Sequence, residues 1–159
     1  MFDFPFPFRG SALLCLRPSR VSEMPQREIE IILTRQLASY LSVPILIVDP
    51  RGDLVYFNES AEPILGRRFD ETGEIRRGEW TTLFQPTNDD GSGVGREEQP
   101  LFIATQEQRP AYRRSWIRGL DGVNRCIEGI AFPLRGLSGR FLGAVGVFWE
   151  VEGEPCPRP

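Results

Sequence analysis

The chain has 159 residues, 40% apolar and 26% charged, with a formal net charge of −3; this fits one domain with an apolar core rather than a disordered chain, and it disfavours a general nucleic-acid binder. It contains no His, and all 19 basic residues are Arg, so the usual proton shuttle, the commonest metal ligand and the lysine of Schiff bases and P-loops are all missing. Ser-His triads, zinc–His sites, P-loops and His-ligated haem are closed to such a chain, and carboxylates remain as its acid–base groups.

Residues 1–23 read as an irregular tail. Phe2-Asp3-Phe4-Pro5-Phe6-Pro7-Phe8 alternates aromatics with Pro, which breaks helices and cannot donate to a ladder. A docking peptide, a flexible arm, or a start assigned upstream of a real one at Met24 would each give this pattern. The apolar run Ala12–Leu16 is too short for a signal peptide's core, and no run nears the ~18 apolar residues of a membrane span. Cys15, Cys126 and Cys156 are far apart without C-x-x-C spacing. That pattern points to a reducing, cytoplasmic setting, with Cys126 as inert packing.

Residues 24–43 predict an amphipathic helix. Ser22 can cap it, Pro25 suits its first turn, and Ile29, Ile32, Leu33, Leu37 and Leu41 recur at helical spacing. Such a stripe must be buried against something. Pro44 ends the helix. Ile45–Val48 and Leu54–Phe57 then read as two strands joined by the turn Asp49-Pro50-Arg51-Gly52. Asn58 can cap a short helix over Ser60–Leu65, which Gly66 stops. Beyond it, Trp80, Leu83 and Phe84 predict one helical turn, residues 87–95 an exposed loop, and residues 97–107 a helix with Pro100 in its first turn. The last third reads as strands over 112–118, 124–134 and 140–149, with Asp121-Gly122 turning between the first two. Residues 152–159 form a Pro-rich tail.

Strands separated by a block of short helices predict an α+β fold with an antiparallel sheet. The last strand is apolar on both faces, with Val145, Val147 and Trp149 on one and Leu142, Ala144 and Phe148 on the other. Both faces therefore need cover, from the internal helices on one side and from the 24–43 helix or a second subunit on the other.

At this point the segment from Pro44 to Val151 resembles a PAS domain. The resemblance rests on the unit Ile45-Leu46-Ile47-Val48-Asp49-Pro50-Arg51-Gly52-Asp53-Leu54-Val55-Tyr56-Phe57-Asn58, on Ser60-Ala61-Glu62 followed by Ile64-Leu65-Gly66, on the turn Asp121-Gly122, and on Phe141-Leu142-Gly143-Ala144-Val145-Gly146-Val147-Phe148. It implies a five-stranded antiparallel sheet in the order 2-1-5-4-3, with short helices forming a pocket on one face and the N-terminal helix on the other. It implies sensing of a small molecule, or dimerisation and signal relay, rather than turnover. Two subtypes are set aside. No Cys lies between Cys15 and Cys126, which is where the Asn-Cys-Arg-Phe motif of Cys-adduct flavin photoreceptors would fall, and no His can ligate haem. No output domain is read in these residues, so a signal is expected to leave through the 24–43 helix, through a homodimer, or through a separate signalling protein. No nucleic-acid or membrane partner is expected.

The pocket candidates are Ile47, Phe57, Leu83, Phe102, Arg114, Trp116, Glu128, Ile130, Phe132 and Val145. The apolar members line a ligand cavity or are plain core, and a one-residue shift in strand register would reverse which of them face inward. Arg114 either grips an anionic ligand or pairs with Glu128 across the sheet. The dimer candidates are Ile29, Ile32, Leu33, Leu37 and Leu41. A ligand-free interaction module is the main alternative, and an enzyme using Glu128 a more distant one. An unidentified small molecule is the only cofactor expectation. The acidic stretch Asp89, Asp90, Glu97, Glu98 lacks the spacing of a calcium loop and reads as solvated.

Overall fold

The computed structural model describes residues 26–151, so the expectations for the aromatic–proline tail and for residues 152–159 fall outside the described residues. The described chain runs α1 (Gln26–Ser39), β1 (Ile45–Val48), β2 (Leu54–Phe57), α2 (Glu62–Leu65), α3 (Phe69–Thr72), α4 (Arg77–Leu83), α5 (Pro100–Gln106), β3 (Ala111–Arg118), β4 (Asn124–Arg135) and β5 (Phe141–Glu150). The strands form one antiparallel sheet in the order β2-β1-β5-β4-β3, the order that the resemblance implied.

The hairpin β1–β2 turns where Asp49 accepts hydrogen bonds from the N–H groups of Arg51 and Asp53, a use of Asp that fixes the turn. Gly66 ends α2 with φ at 78°, a left-handed position where a Cβ would run into Asp121. The expected helix over 97–107 is split: a 3₁₀ turn covers Arg96–Glu98 and α5 starts at Pro100, whose missing N–H costs nothing in a first turn. The single turn expected around Trp80 is a seven-residue helix, α4, and α3 was not foreseen. Four residues carry too little periodicity to show a helix in sequence.

Two apolar cores lie on the two sides of the sheet. The larger packs Leu46, Val48, Leu54, Phe57, Ile117, Ala131, Ala144 and Phe148 against Ile64, Leu65, Ile75, Phe84 and Ala104 of the helical block. The smaller packs Ile45, Ile47, Val55 and Val145 with Ala38 of α1. Alternation along β5 thus splits its residues between the cores as its two apolar faces require.

Polar groups tie α1 to the domain at three points. Near its start the Glu30 carboxylate accepts from the Leu137 N–H at 3.1 Å and from Arg140 at 2.7 Å, and these donors hold its pKa below the usual value. Arg35 pairs with Glu74 at 2.7 Å. Past its end, Asn58 is 1% exposed and donates through Nδ2 to the carbonyls of Ala38, Leu41 and Val43. Its Oδ1 accepts from the N–H groups of Ile45 and Ala61. The cap expected of Asn58 is therefore one of five bonds, and the others join α1 to the sheet.

Candidate functional site

A cavity of about 130 Å³ lies between the inner face of the sheet and the helical block. Its depth has a simple origin. At the inner positions of the central strands stand Gly129 and Ala131 on β4, and Gly146 on β5 beside Ala131 in the register. Where Phe148, Ile127 and Ile117 reach toward the helices, these positions stop at a hydrogen or a methyl, and the missing side-chain volume is the cavity. The walls come from Leu46, Leu65, Trp80, Phe84, Val94, Leu101 and Phe148. Apolar atoms dominate, as in most small-molecule sites.

The polar members of the lining are Thr81, Gln99, Arg113 and Ser115. Ser115 is 7% exposed. Arg113 pairs with Glu98 at 3.0 Å and donates to Asn88 Oδ1, while its Nε is buried without a partner. An unpaired buried donor on a cavity wall is the kind of group that a ligand can satisfy.

A second, smaller hollow of about 20 Å³ shares Trp80, Thr81, Gln99 and Leu101 with the first. It holds Phe102, with the guanidinium carbons of Arg77 and Arg96 at 5.2 and 5.4 Å from the ring centroid, within cation–π range. Burial, and then the charge of Arg96, pull the pKa of Arg77 down. The Trp80 indole N–H donates to the Gly52 carbonyl at 2.9 Å and fixes this edge of α4 on the β1–β2 turn.

The sequence-derived pocket residues are not brought together here. Of the ten, Phe102 borders the smaller hollow, and Ile130 adjoins the main cavity between the inward Gly129 and Ala131 while standing by alternation on the outer face. Ile47 and Val145 belong to the outer core under α1. Phe57 is in the inner core away from the cavity wall, and Leu83 is exposed on α4. Trp116 and Arg114 alternate with the inward Ser115 and Arg113 and so take the outer face, as Glu128 and Phe132 do against Gly129 and Ala131. Arg114 stands opposite Glu128 in the β3–β4 register, which fits the cross-sheet pairing. The physical reason is the register ambiguity itself: alternation alone lets either parity of β4 face inward, and here the inward parity belongs to its smallest residues. The pattern Gly129-x-Ala131 with Ala144-x-Gly146 was the available signal. Cys126, read as inert, is buried and disulfide-bonded.

The five dimer candidates, four on α1 and Leu41 just past its end, are all exposed to a substantial degree, with Leu33 at 57% and Leu37 at 62%. Beside them the outer face of β3, β4 and β5 exposes Tyr112, Ile130, Phe132 and Trp149. Among the described residues no group of His, Cys, Asp or Glu could hold a metal ion, and no helix is long and apolar enough to cross a membrane.

No protein-family model matches the chain, and no curated protein does. Solved structures do. The chain is similar to the PAS domain of a Colwellia psychrerythraea protein at 16% identity, with a TM-score of 0.53 over 76% of this chain and 96% of that one. It is similar to the PAS domain of the fruit-fly ELK potassium channel at 8% identity, with a TM-score of 0.60 over 79% of this chain and 98% of that one. The light-state dimer of the fungal blue-light photoreceptor Vivid matches at 15% identity, with a TM-score of 0.51 over 86% and 99%. At such identities the likeness is one of fold, and the fold is that of PAS domains.

Proposed function

We propose that this chain, which carries the PAS fold, is a sensor domain that binds a small apolar or amphipathic molecule in its cavity and relays occupancy through a homodimer formed by α1. The carrying observation is the cavity itself, an apolar space made by Gly129, Ala131 and Gly146 where side chains could have filled the core. A well-packed interior leaves few voids larger than a water. The lining of hydrocarbon with Thr81, Gln99, Arg113 and Ser115 suits holding a molecule more than transforming one, which supports a non-catalytic role. Glu128, the carboxylate of the enzyme alternative, sits by alternation on the other side of the sheet.

Occupancy reaches the outside of the domain by a short route in this reading. Phe148 and Gly146 touch the cavity, while Val145 of the same strand packs in the core under α1. A ligand that moves β5 by a fraction of an ångström changes the seat of α1, and two packings of that helix give the two states that a sensor needs. The exposed stripe Ile29, Ile32, Leu33, Leu37 and Leu41 supports α1 as the dimer contact.

Native mass spectrometry of the protein purified from cells, beside its denatured mass, tests the ligand. Extra mass released on denaturation, and absent from Gly129→Met, is the expected result. Extra mass retained by Gly129→Met would place the ligand elsewhere and sink the cavity reading. A ligand-free interaction module is the second reading, favoured by the breadth of the exposed apolar face on α1 and the outer sheet. It predicts a dimer of bare mass.

A further inference from the structure

Arg77 and Arg96 are the feature that the binding of an apolar molecule does not use. Both approach one ring, Phe102. Neither guanidinium is in an ion pair among the described residues, whereas Arg35, Arg51, Arg68, Arg109, Arg113, Arg125 and Arg140 each are. The one side-chain bond of Arg77 is a long one, from Nη1 to the Arg51 carbonyl at 3.4 Å. Asp53 is nearby, but it accepts from the backbone N–H of Arg77 and lies 3.5 Å from Arg51, so its charge is already engaged. Two guanidinium groups, here the half-buried Arg77 and the exposed Arg96, repel each other unless an anion joins them, and a fork of N–H donors is matched by a carboxylate or phosphate.

The position of this pair gives the hollow its meaning. It shares Trp80, Thr81, Gln99 and Leu101 with the apolar cavity, so a single molecule lying across that shared wall has hydrocarbon surroundings at one end and two cations at the other. We infer that the ligand is an amphipathic acid, with its hydrocarbon body in the cavity floored by Gly129, Ala131 and Gly146 and its anionic head held by Arg77 and Arg96 beside Phe102. This inference rests on the ligand reading above and adds the chemical class. Binding of the head removes the repulsion between the two arginines. Burial, and then the charge of Arg96, lower the Arg77 pKa, in line with that repulsion.

The test uses decanoate, decanol and inorganic phosphate as probes, with binding to the full-length protein followed by calorimetry and by the change in Trp fluorescence. Decanoate is expected to bind, with decanol at least about tenfold weaker and phosphate alone weaker still. Arg77→Gln combined with Arg96→Gln should lower decanoate affinity by at least about tenfold and leave decanol affinity unchanged. Arg113→Gln serves as a comparison, because Arg113 lines the cavity from the β3 side. Equal affinity for decanoate and decanol, or decanoate loss on Arg113→Gln but not on the double variant, overturns the head-group site while leaving the cavity intact. Phosphate binding that depends on Arg77 with no gain from a hydrocarbon chain overturns it too, as the pair would then be a free-anion site. If neither amphiphile binds wild type, the cavity reading fails together with it. Thermal melts of each variant, expected within a few degrees of wild type, separate lost contacts from lost folding.

Discussion

The two faces of the sheet solve the same problem differently. Both faces of β5 are apolar. Among the described residues, the inner face is covered by α2–α5 and the segments between them and yet keeps a void, whereas the outer face is covered by one helix over β1 and β5 and leaves large apolar residues of β3 and β4 exposed. On the inner side the cover is continuous and the gap comes from the residues of the sheet, Gly129, Ala131 and Gly146. On the outer side the sheet residues are large, with Tyr112, Ile130, Phe132 and Trp149 exposed, and among the described residues the gap comes from the limited reach of α1. A space under small residues suits a small molecule. A bare face of large apolar residues suits another protein surface. Burial alone would not separate these uses, but the size of the residues at the gap does.

The strongest way to break this arrangement is at the joint between the faces. Asn58→Ala removes the side-chain partner of the Ile45 N–H and of the Ala38, Leu41 and Val43 carbonyls, while the Ala61 N–H keeps its bond to the backbone carbonyl of residue 58. A loss of about 3 kcal/mol and a fall in Tm of about 10 °C are expected. A change in Tm of only a degree or two would mean that this link is not made in solution. The second effect compares two inward small residues. Met at Ala144, which is fully buried in the packed inner core and not on the cavity wall, is expected to cost about 2 kcal/mol or more through overpacking. Met at Gly129, where an added Cβ makes ordinary contact with Phe148 at 3.4 Å, should stay within about 1 kcal/mol of wild type. Equal losses in urea titrations would argue that the void is closed in solution.

On the outer face, Leu33→Asp with Leu37→Asp should change the stability of the isolated domain by less than about 0.5 kcal/mol, as for other exposed sites. The same pair should convert a dimer to a monomer in sedimentation experiments. An unchanged dimer would move the interface off α1. The smallest effect is confined to acid. Arg125 and the Val123 N–H hold the Asp121 pKa at about 2, below its ordinary 3.8. A folded-state pKa that is depressed gives stability at higher pH that is lost as the pH falls through the window from about 4 to about 2. Asp121→Asn should flatten that part of the acid limb in Tm measured against pH and leave the curve above pH 5 parallel to wild type.

How much of this was legible depends on the range of the interaction involved. Strand positions came from local pattern: β-branched runs, the Asp49–Gly52 turn and the Asp121-Gly122 turn each act within a few residues, and the strands fall where those signals put them. The order 2-1-5-4-3 followed from the resemblance of those pieces in sequence. Alternation on β5 already required cover on both faces. The cavity was not legible, because it is set by which parity of β4 faces inward, and pairing of β4 with both β3 and β5 decides that. Large residues on these strands suggest a pocket lining, while the chain uses its smallest ones, Gly129, Ala131 and Gly146, to make the space. Asn58 could be read only as a cap, since three of its carbonyl partners are supplied by a helix end and linker some 15 to 20 residues away. Arg77 and Arg96 carry no shared motif and meet only because α4 and the turn before α5 both pack beside Phe102. By itself, then, the sequence determined the elements, their two-sided apolar character and the absence of His and Lys chemistry, all of which follow from residue identity and short-range spacing. Tertiary structure alone decided where space and charge were left over, because a void or an unpaired cation depends on what every surrounding element fails to fill.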